Sequence, residues 1–452
     1  EAAARWDELT GLANRATFDA ALEKRIASGR SAAVVFCDLD RFKRINDTSG
    51  HAAGDAVLVE VARRMGEAVG DDDLLARFGG DEFTVLLRPG VDADDAQRLA
   101  RQIQRSVEGS YRVAADHGPG LGLSITAGLA FGGSGRDATE VMRNADLALY
   151  AAKSEARGSL RVFEQSMYDD FARRVMLEQR LRVALDNDGL TLAYQPLLDL
   201  ESGAVVGVEA LLRWFDDGEV VLAPPELIEL AESFDSDGQV GRWVLRSAVA
   251  QAAAWSAASY PVRVSINVTT RQLLDPDLVD VVKGLLAEHD LDASLVTLEI
   301  TEGAFLDDAS KAIEHLHKLR DIGIGLAIDD FGTGYSSLAY LTRLPVGELK
   351  VDRAFVAGLP HDKDRTALVR TVIRLANDLG FMVTGEGVER MDQLRLLRGM
   401  GAHLAQGYLI SHPLPADKLL DLLKQGPFVV DVADGESELR HTSSGMPHRV
   451  VD

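Results

Sequence analysis

Short apolar runs alternate with amphipathic stretches along the chain, and the period of the pattern changes from element to element. At residues 17–26, Phe18, Leu22 and Ile26 recur every fourth position, the spacing of a helix with one buried face. The run AAVVFC at residues 32–37 is apolar throughout and of strand length, which predicts a central buried strand delivering Asp38 and Asp40 at its end. Helical spacing returns over residues 55–69 through Val57, Leu58, Val61, Met65 and Val69. Two short strands, 74–78 and 83–87, are then joined by Gly79, Gly80, Asp81 and Glu82, a tight hairpin whose glycines permit positive φ. A helix over 96–107, a strand over 121–131 and a helix over 141–157 follow, the last carrying Lys153 and Arg157 on one face. This order predicts an α+β domain over residues 1–165 with an antiparallel component to its sheet. A hairpin lying beside the 32–37 strand would bring Asp38 to Asp81 and Glu82.

Residues 166–182 contain no Pro or Gly and predict a stiff helical connector. Beyond it, apolar strands at 191–195, 205–212, 262–267, 295–300, 324–330, 348–351, 381–386 and 402–406 alternate with amphipathic stretches. Eight strands in that rhythm predict an α/β domain over residues 183–425, a TIM-like (β/α)8 barrel. In such a barrel the C-terminal strand ends gather at one mouth, and here they carry Glu209, Asn267, Glu299, Asp329 with Asp330, Lys350, Glu386 and Gln406. Polar residues kept only for solubility belong on the outer helices, so their recurrence at strand ends predicts one convergent site. Carboxylates and an amide suit one or two divalent cations that polarise a phosphodiester and generate a hydroxide. Lys350, the only cation of the set, either handles the water or offsets the carboxylates. His315 and His317, two apart on a helix, point to different faces and do not make a joint metal site. The tail at 426–452, rich in Gly, Ser, Asp and His, reads as disordered.

Charge and cysteine usage narrow the partners. A formal net charge of −23 over 452 residues argues against a nucleic acid polymer, whose binding needs a basic surface, so a phosphate ligand must be held locally by metal and a few cations. The single cysteine, Cys37, lies in an apolar run and reads as a small buried hydrophobe. Neither a disulfide framework nor a cysteine-based zinc site can form, which fits a reducing cytoplasm. No apolar run reaches about 18 residues and no signal peptide is present. The opening EAAARWDELTGLANR lacks Met and reads as the start of a fragment, with an upstream sensory or membrane-embedded part missing. These domains are therefore expected in the cytoplasm, with any anchor lying upstream.

The motifs DLDRFKRINDTSGHAAGD and RFGGDEF resemble those of the GGDEF family, diguanylate cyclases that join two GTP into cyclic di-GMP, over about residues 7–163. The resemblance implies a palm-like cyclase fold in which Asp38, the Leu39 carbonyl and Asp81 hold metal and Glu82 assists the attacking 3′ hydroxyl or the metal. It implies further that Asn46 and Asp55 read guanine, that Lys43, Lys153 and Arg157 face phosphates, and that two copies meet as a homodimer. Two departures stand out. The family's Arg-x-x-Asp product-inhibition site is here Gly70, Asp71, Asp72 and Asp73, and a glycine makes no bidentate contact, which predicts no feedback at that site. Ala156, Arg157 and Gly158 replace the common Gly-Arg-Asn.

In the second half, EALLR at Glu209, DDFGTGYSSL at Asp329, LKVD at Leu349, GEGVE at Gly385 and QGYLISHP at Gln406 resemble the EAL family of cyclic di-GMP phosphodiesterases, over about residues 181–423. This implies that Glu209, Asn267, Glu299, Asp329 and Asp330 bind Mg2+ or Mn2+, and that Lys350 and Glu386 hold the water or a second metal. Gln406 would line the site, Glu302 would anchor the DDFGTG loop, and Gln195 and Arg213 would touch substrate. Thr269, Gly385 and His412 differ from the usual residues without removing a ligand. Together the resemblances imply a chain that makes cyclic di-GMP from GTP and hydrolyses it to linear pGpG. The alternatives are a phosphodiesterase regulated by GTP bound to its first half, and a cyclic di-GMP receptor without turnover, against which the full ligand sets weigh.

Overall fold

The computed structural model describes residues 5–111, 121–133, 137–187, 189–216, 219–234, 238–305, 309–332, 341, 343–433 and 436–441. The chain divides into two compact units, Glu1–Met176 and Leu177–Asp452. The helix Gln165–Asp186, longer at both ends than the 166–182 connector expected, spans the division.

The first unit is built on a six-stranded sheet in the order Ala13–Asn14, Leu74–Gly79, Glu82–Leu86, Ala32–Leu39, Ile125–Gly132, Leu160–Val162. The run at 32–37 is indeed part of a central strand, antiparallel to both neighbours, and all six of its residues are buried. Because both faces are apolar, helices pack on each side. Val57, Leu58, Val61 and Met65 of His51–Ala68 join Ile103 and Val107 against one face. Phe18 and Leu22 join Val141, Ala145 and Leu149 against the other. Cys37 is fully buried in the first of these layers, and burial, with Asp38 beside it, pushes its thiol up to about 12. A neutral, inaccessible thiol does not alkylate. Iodoacetamide at pH 8 is therefore expected to label Cys37 only after denaturation, and rapid labelling of the folded chain would contradict this packing.

Two expectations for this unit are corrected. The strand anticipated over 121–131 is two strands, Leu121–Leu123 and Ile125–Gly132, which belong to different sheets. The helix anticipated over 141–157 runs Ala138–Glu155 and ends with Ala156 extended at φ −163° and ψ 133°. Arg157 therefore leaves the helix, and the face it was expected to share with Lys153 does not exist.

In the second unit eight strands close into a barrel in the order Val205–Asp216, Arg263–Val268, Val296–Thr301, Gly325–Phe331, Glu348–Val351, Met382–Gly385, Leu404–Ala405, Leu190–Asp199. Neighbours from Val205–Asp216 round to Leu404–Ala405 are parallel, whereas Leu190–Asp199 runs antiparallel to both strands it joins. The barrel is the TIM-like one expected, with one departure from regular (β/α)8 order: its first strand is antiparallel. Residues 200–204 form only a turn, and a parallel pair needs a crossover of about a dozen residues. The shell is completed by helices such as Gln239–Ala257 and Lys363–Asp378, whose Leu245, Trp255, Val369 and Ile373 pack on the strands.

The tail expected to be disordered is ordered in part. Phe428–Ala433 and Glu436–His441 pair as a hairpin, Phe428 and Leu439 are buried in the barrel unit's core, and the Phe428 amide donates to Gly203 O at 2.7 Å. Residues 442–452 lie outside the described set. No described helix is long and apolar enough to cross a membrane.

Candidate active sites

Lys350 organises the barrel mouth. It has 0% exposure, and its Nζ lies 2.6 Å from Glu299 Oε2, 2.7 Å from Glu386 Oε1, and 3.3 Å from both Glu209 Oε2 and Asp329 Oδ1. Strand geometry brings these groups together: Asn267 is in register with Glu299, and Asp329 with Thr301 on the next strand. Glu209 sits within its strand rather than at its end, directly opposite Gln195, which the antiparallel first strand supplies. Asn267 Nδ2 donates to Glu209 Oε1 at 2.7 Å, and Gln406 Nε2 donates to Glu209 Oε2 at 2.7 Å and to Gln195 Oε1 at 3.0 Å. Asp329 and Asp330 are consecutive and in a regular strand would point to opposite faces. The pairing is irregular between Ile328 and Phe331, and Asp330 takes φ +53°, a left-handed conformation that Asp tolerates. Both carboxylates can therefore be aimed at one site.

The electrostatics follow from one buried cation among four anions. Burial alone would lower the Lys350 pKa, but Glu209, Glu299, Glu386 and Asp329 raise it well above the usual range, so it is charged. Burial would raise Glu209, but Lys350 and the Gln406 and Asn267 hydrogen bonds outweigh it and hold the carboxyl low. Glu299, by contrast, is pushed well up by burial and the neighbouring carboxylates, and Glu386 is pushed up to about 8, chiefly by burial. Asp330 rises to about 6 through burial, with Asp329 and Asp352 adding to it. One lysine does not neutralise this set.

The residues fit divalent cations. Glu209, Glu299 and Asp329 form one group whose ligand atoms lie within 4.8 Å of one another, and Asp329, Asp330 and Glu386 form a second, so Asp329 is shared. All are hard oxygen donors, the set preferred by Mg2+ or Mn2+. Glu299 Oε1 and Gln406 Oε1 are buried without a hydrogen-bond partner among the described residues. Above the cluster opens a cleft of about 250 Å3 lined by Arg353, Gly387, Glu389 and Tyr408 as well as the acidic residues. Arg213 is half-buried, with its Nη1 donating to Leu212 O. Glu302 has both carboxylate oxygens buried without a described partner, and residues 333–338 of the loop it was expected to anchor lie outside the described residues.

Sequence reasoning missed three residues here. Asp352, which caps the helix Arg353–Val356 through Ala354 N, also acts on Asp330; Arg353 pairs with Glu389 at 2.8 Å on the cleft wall. Asp352 and Glu389 stood inside the quoted LKVD and GEGVE motifs, so the signal was present. His315 is buried, its Nδ1 donating to Leu273 O at 2.7 Å, and His317 is half-buried.

In the first unit the hairpin does lie beside the central strand. Asp38 is in register with Glu82, and Leu39 N donates to Asp81 O at 3.2 Å. Gly80 at φ +54° makes the turn, which explains a glycine there. Lys153 Nζ pairs with Asp38 Oδ1 at 2.8 Å. Burial, more than any neighbour, raises the pKa of both Asp38 and Glu82. Asn46 is half-buried, and Lys43, Asp55 and Arg157 are exposed. Asp40 is not part of an open carboxylate site. It is buried and accepts from Ser124 Oγ, Thr126 Oγ1 and Gly158 N, pinning the turn that follows Arg157. Gly158 there has φ +75°, a conformation that Asn and Gly both adopt readily, so the departure from Gly-Arg-Asn leaves the turn intact. Arg77 was missed: it bridges Asp7 at 3.0 Å and Gly80 O at 2.8 Å, tying the hairpin tip to the Asp7–Thr10 turn. At Gly70 the backbone N–H donates to Asp73 Oδ2, and Asp73 Oδ1 accepts from Arg88 N, so the surviving aspartate is engaged by backbone.

A palm-like sheet with a carboxylate-tipped hairpin, followed by a barrel with a lysine-centred acidic mouth, defines a two-domain chain with one polar site in each domain. The profile of the diguanylate cyclase, GGDEF domain, matches residues 4–159 and that of the EAL domain matches residues 178–413. The chain belongs to the tandem GGDEF–EAL family. It is 38% identical over 420 residues to the bifunctional diguanylate cyclase/cyclic di-GMP phosphodiesterase MucR of Pseudomonas aeruginosa, covering 92% of this chain and 61% of that protein. It is 38% identical over 427 residues to the cyclic di-GMP phosphodiesterase NbdA of the same organism, covering 93% and 54%. The chain thus spans about half to three-fifths of these relatives' length. Among solved structures it is similar to the PaMucR phosphodiesterase in complex with c-di-GMP, with a TM-score of 0.52, 39% identity, and coverage of 54% of this chain and 99% of that one. A Vibrio cholerae LapD S helix-GGDEF-EAL structure, at 21% identity and a TM-score of 0.55 over 90% of this chain and 97% of that one, shares the fold.

Proposed function

We propose that the barrel hydrolyses cyclic di-GMP to linear pGpG and that the first unit condenses two GTP to cyclic di-GMP. The observation that carries the first half is the buried Lys350 inside an oxygen-donor set with two overlapping acidic groups. A receptor has no use for so costly a cluster. Glu209, Asn267, Glu299, Asp329, Asp330 and Glu386 would hold the cations. Bound there, Mg2+ or Mn2+ supplies Lewis acidity toward the phosphodiester and lowers the pKa of water. The chain's own residues do the rest. Lys350 stays charged and offsets the excess anion that would otherwise repel a phosphodiester. Gln406 and Asn267 fix both oxygens of Glu209. Arg353 and Tyr408 line the cleft and can receive the nucleotide, and half-buried Arg213, on the same strand as Glu209, can add a cation to it.

In the first unit, Asp38, the Leu39 carbonyl and Asp81 would hold metal, Glu82 would act at the 3′ hydroxyl or the metal, Asn46 and Asp55 would read guanine, and Lys43, Lys153 and Arg157 would meet phosphates. One site per copy implies a homodimer for condensation, and an upstream sensory segment would set the balance of the two activities. NbdA, named as a phosphodiesterase only, favours a second reading in which the first unit binds GTP and regulates the barrel.

Two outcomes test these roles. Chelation with EDTA is expected to abolish both activities, with Mg2+ or Mn2+ restoring them; turnover that survives thorough chelation would remove the metal from both proposals. In a Glu209→Ala background, added cyclic di-GMP is expected to leave the rate of GTP condensation unchanged, because Gly70 offers no side chain and Asp73 is turned to backbone. Strong noncompetitive inhibition would point to an inhibitory site elsewhere.

A further inference from the structure

Residues two apart on a strand face the same side, so every catalytic-end residue of the barrel has a neighbour directly below it in the lumen. Ser265 and Arg263 stand beneath Asn267, Thr297 beneath Glu299, and Glu348 beneath Lys350. Bulky aliphatic side chains ordinarily fill these levels of a barrel. Here Ser265, Thr297, Glu348 and Thr384 are all buried, and Arg263 is largely so.

Glu348 is held from two sides. Thr384 Oγ1 donates to its Oε1 at 2.6 Å, and Arg263 Nη2 lies 2.8 Å from its Oε2 as an ion pair without hydrogen-bond geometry. Thr384 belongs to the strand that leads into Glu386, in register with Lys350. Arg263 belongs to the strand bearing Asn267, which is not a neighbour of Glu348's strand, so this ion pair crosses the lumen. The chain Arg263–Glu348–Thr384 therefore ties together, one level down, the three strands that present Asn267, Lys350 and Glu386.

A second feature lies at the same level. Ser265 Oγ, Thr297 Oγ1 and Arg263 Nε are buried with no hydrogen-bond partner among the described residues, and Ser265 is in register with Thr297. A buried polar group left unpaired is destabilising, and several converging polar groups are what an internal water requires. The lumen-facing positions beside them are glycines, Gly207 in register with Arg263 and Gly325 with Thr297, which make room for these polar side chains: a Cβ at Gly325 would lie 2.4 Å from Thr297 Oγ1, and one at Gly207 3.5 Å from Arg263 Nε.

We propose that this lower layer is a hydrated clamp: ordered water bridges Ser265, Thr297 and Arg263, and the Arg263–Glu348–Thr384 chain positions Lys350 against Glu386 and Asn267. These are positioning residues, acting on the site through the strands. The kinetic arm of the test rests on the phosphodiesterase reading; the other two arms do not.

The variants are Thr384→Val, which removes the hydroxyl at nearly constant volume, Thr384→Ser, which restores it, and the pair Ser265→Ala with Thr297→Val. In the full chain, Thr384→Val is expected to lower kcat for cyclic di-GMP by about 10- to 100-fold with KM within about threefold, and to weaken Mn2+ binding, read by electron paramagnetic resonance, by about tenfold or more. Thr384→Ser should recover most of both. A lowered Tm with kcat and Mn2+ affinity unchanged would make the layer merely structural and overturn the clamp. Oxygen-17 relaxation dispersion counts long-lived internal waters. The Ser265→Ala, Thr297→Val pair is expected to lose at least one, and an unchanged count would overturn the hydration. If the unmodified chain does not hydrolyse cyclic di-GMP, the phosphodiesterase reading fails, while Mn2+ affinity and the water count still decide the clamp.

Discussion

Glu209→Ala, incubated with GTP and Mg2+, is expected to accumulate cyclic di-GMP, whereas the unmodified chain carries the same GTP through to pGpG. Glu209 belongs to the acidic group with Glu299 and Asp329, and its two oxygens are fixed by Asn267, Gln406 and Lys350. Its truncation removes a donor to the cation and the partner of three other groups at once. The hydrolytic rate is expected to fall on the order of 10³-fold, the scale on which losing one essential group acts. The hairpin site lies in the other compact unit and shares no residue with this one. Asp81→Ala should do the converse, making nothing from GTP yet opening added cyclic di-GMP. If Glu209→Ala makes no cyclic di-GMP at protein concentrations that permit dimers, condensation fails and GTP regulation replaces it.

Lys350→Met is expected to abolish hydrolysis and, in metal-free buffer, to destabilise the barrel by about 3–5 kcal/mol, the cost of removing one partner from a buried ionic cluster. The methionine roughly keeps the length of the side chain, so the loss is one of charge. It leaves Glu209, Glu299, Asp329 and Glu386 facing each other with no cation among them. Saturating Mg2+ or Mn2+, which binds the folded form, should recover much of that stability by mass action without restoring the rate. Denaturant unfolding with and without metal checks both halves of the statement. An equal stability deficit in the two buffers would mean that the carboxylates do not bind the cation; an unchanged metal-free stability would mean that Lys350 is not what holds them.

The parts of this structure written in local sequence were legible. The apolar run 32–37, the Gly-Gly hairpin and the polar residues at barrel strand ends are patterns of adjacent residues, and the structure brings Asp38 to Glu82 and gathers Glu209, Glu299, Asp329, Lys350 and Glu386. The misses have physical causes. The antiparallel first barrel strand was implied by the turn at 200–204, too short for a crossover, but the regular rhythm of strands overrode that count. The Phe428–His441 hairpin was hidden by a polar composition, although Asp434-Gly435 between alternating apolar residues is a hairpin signal. Helical spacing carries no mark of where the last turn stops, so it extends the helix through Arg157; the extended Ala156 ends it two residues earlier, at Glu155. Arg263 and Glu348 act through each other, far apart in sequence, and no local pattern announces a long-range pair; Arg77 stands inside the RFGGDEF motif, but its partner Asp7 is likewise distant.

The measurement that bears most directly on the barrel is chromatography of the nucleotides after the unmodified chain is incubated with cyclic di-GMP, with Mn2+ and again with EDTA. The expected result is conversion to linear pGpG with the metal and none with the chelator. Cyclic di-GMP that is bound by the metal-loaded chain yet recovered intact would contradict hydrolysis and leave the barrel a receptor.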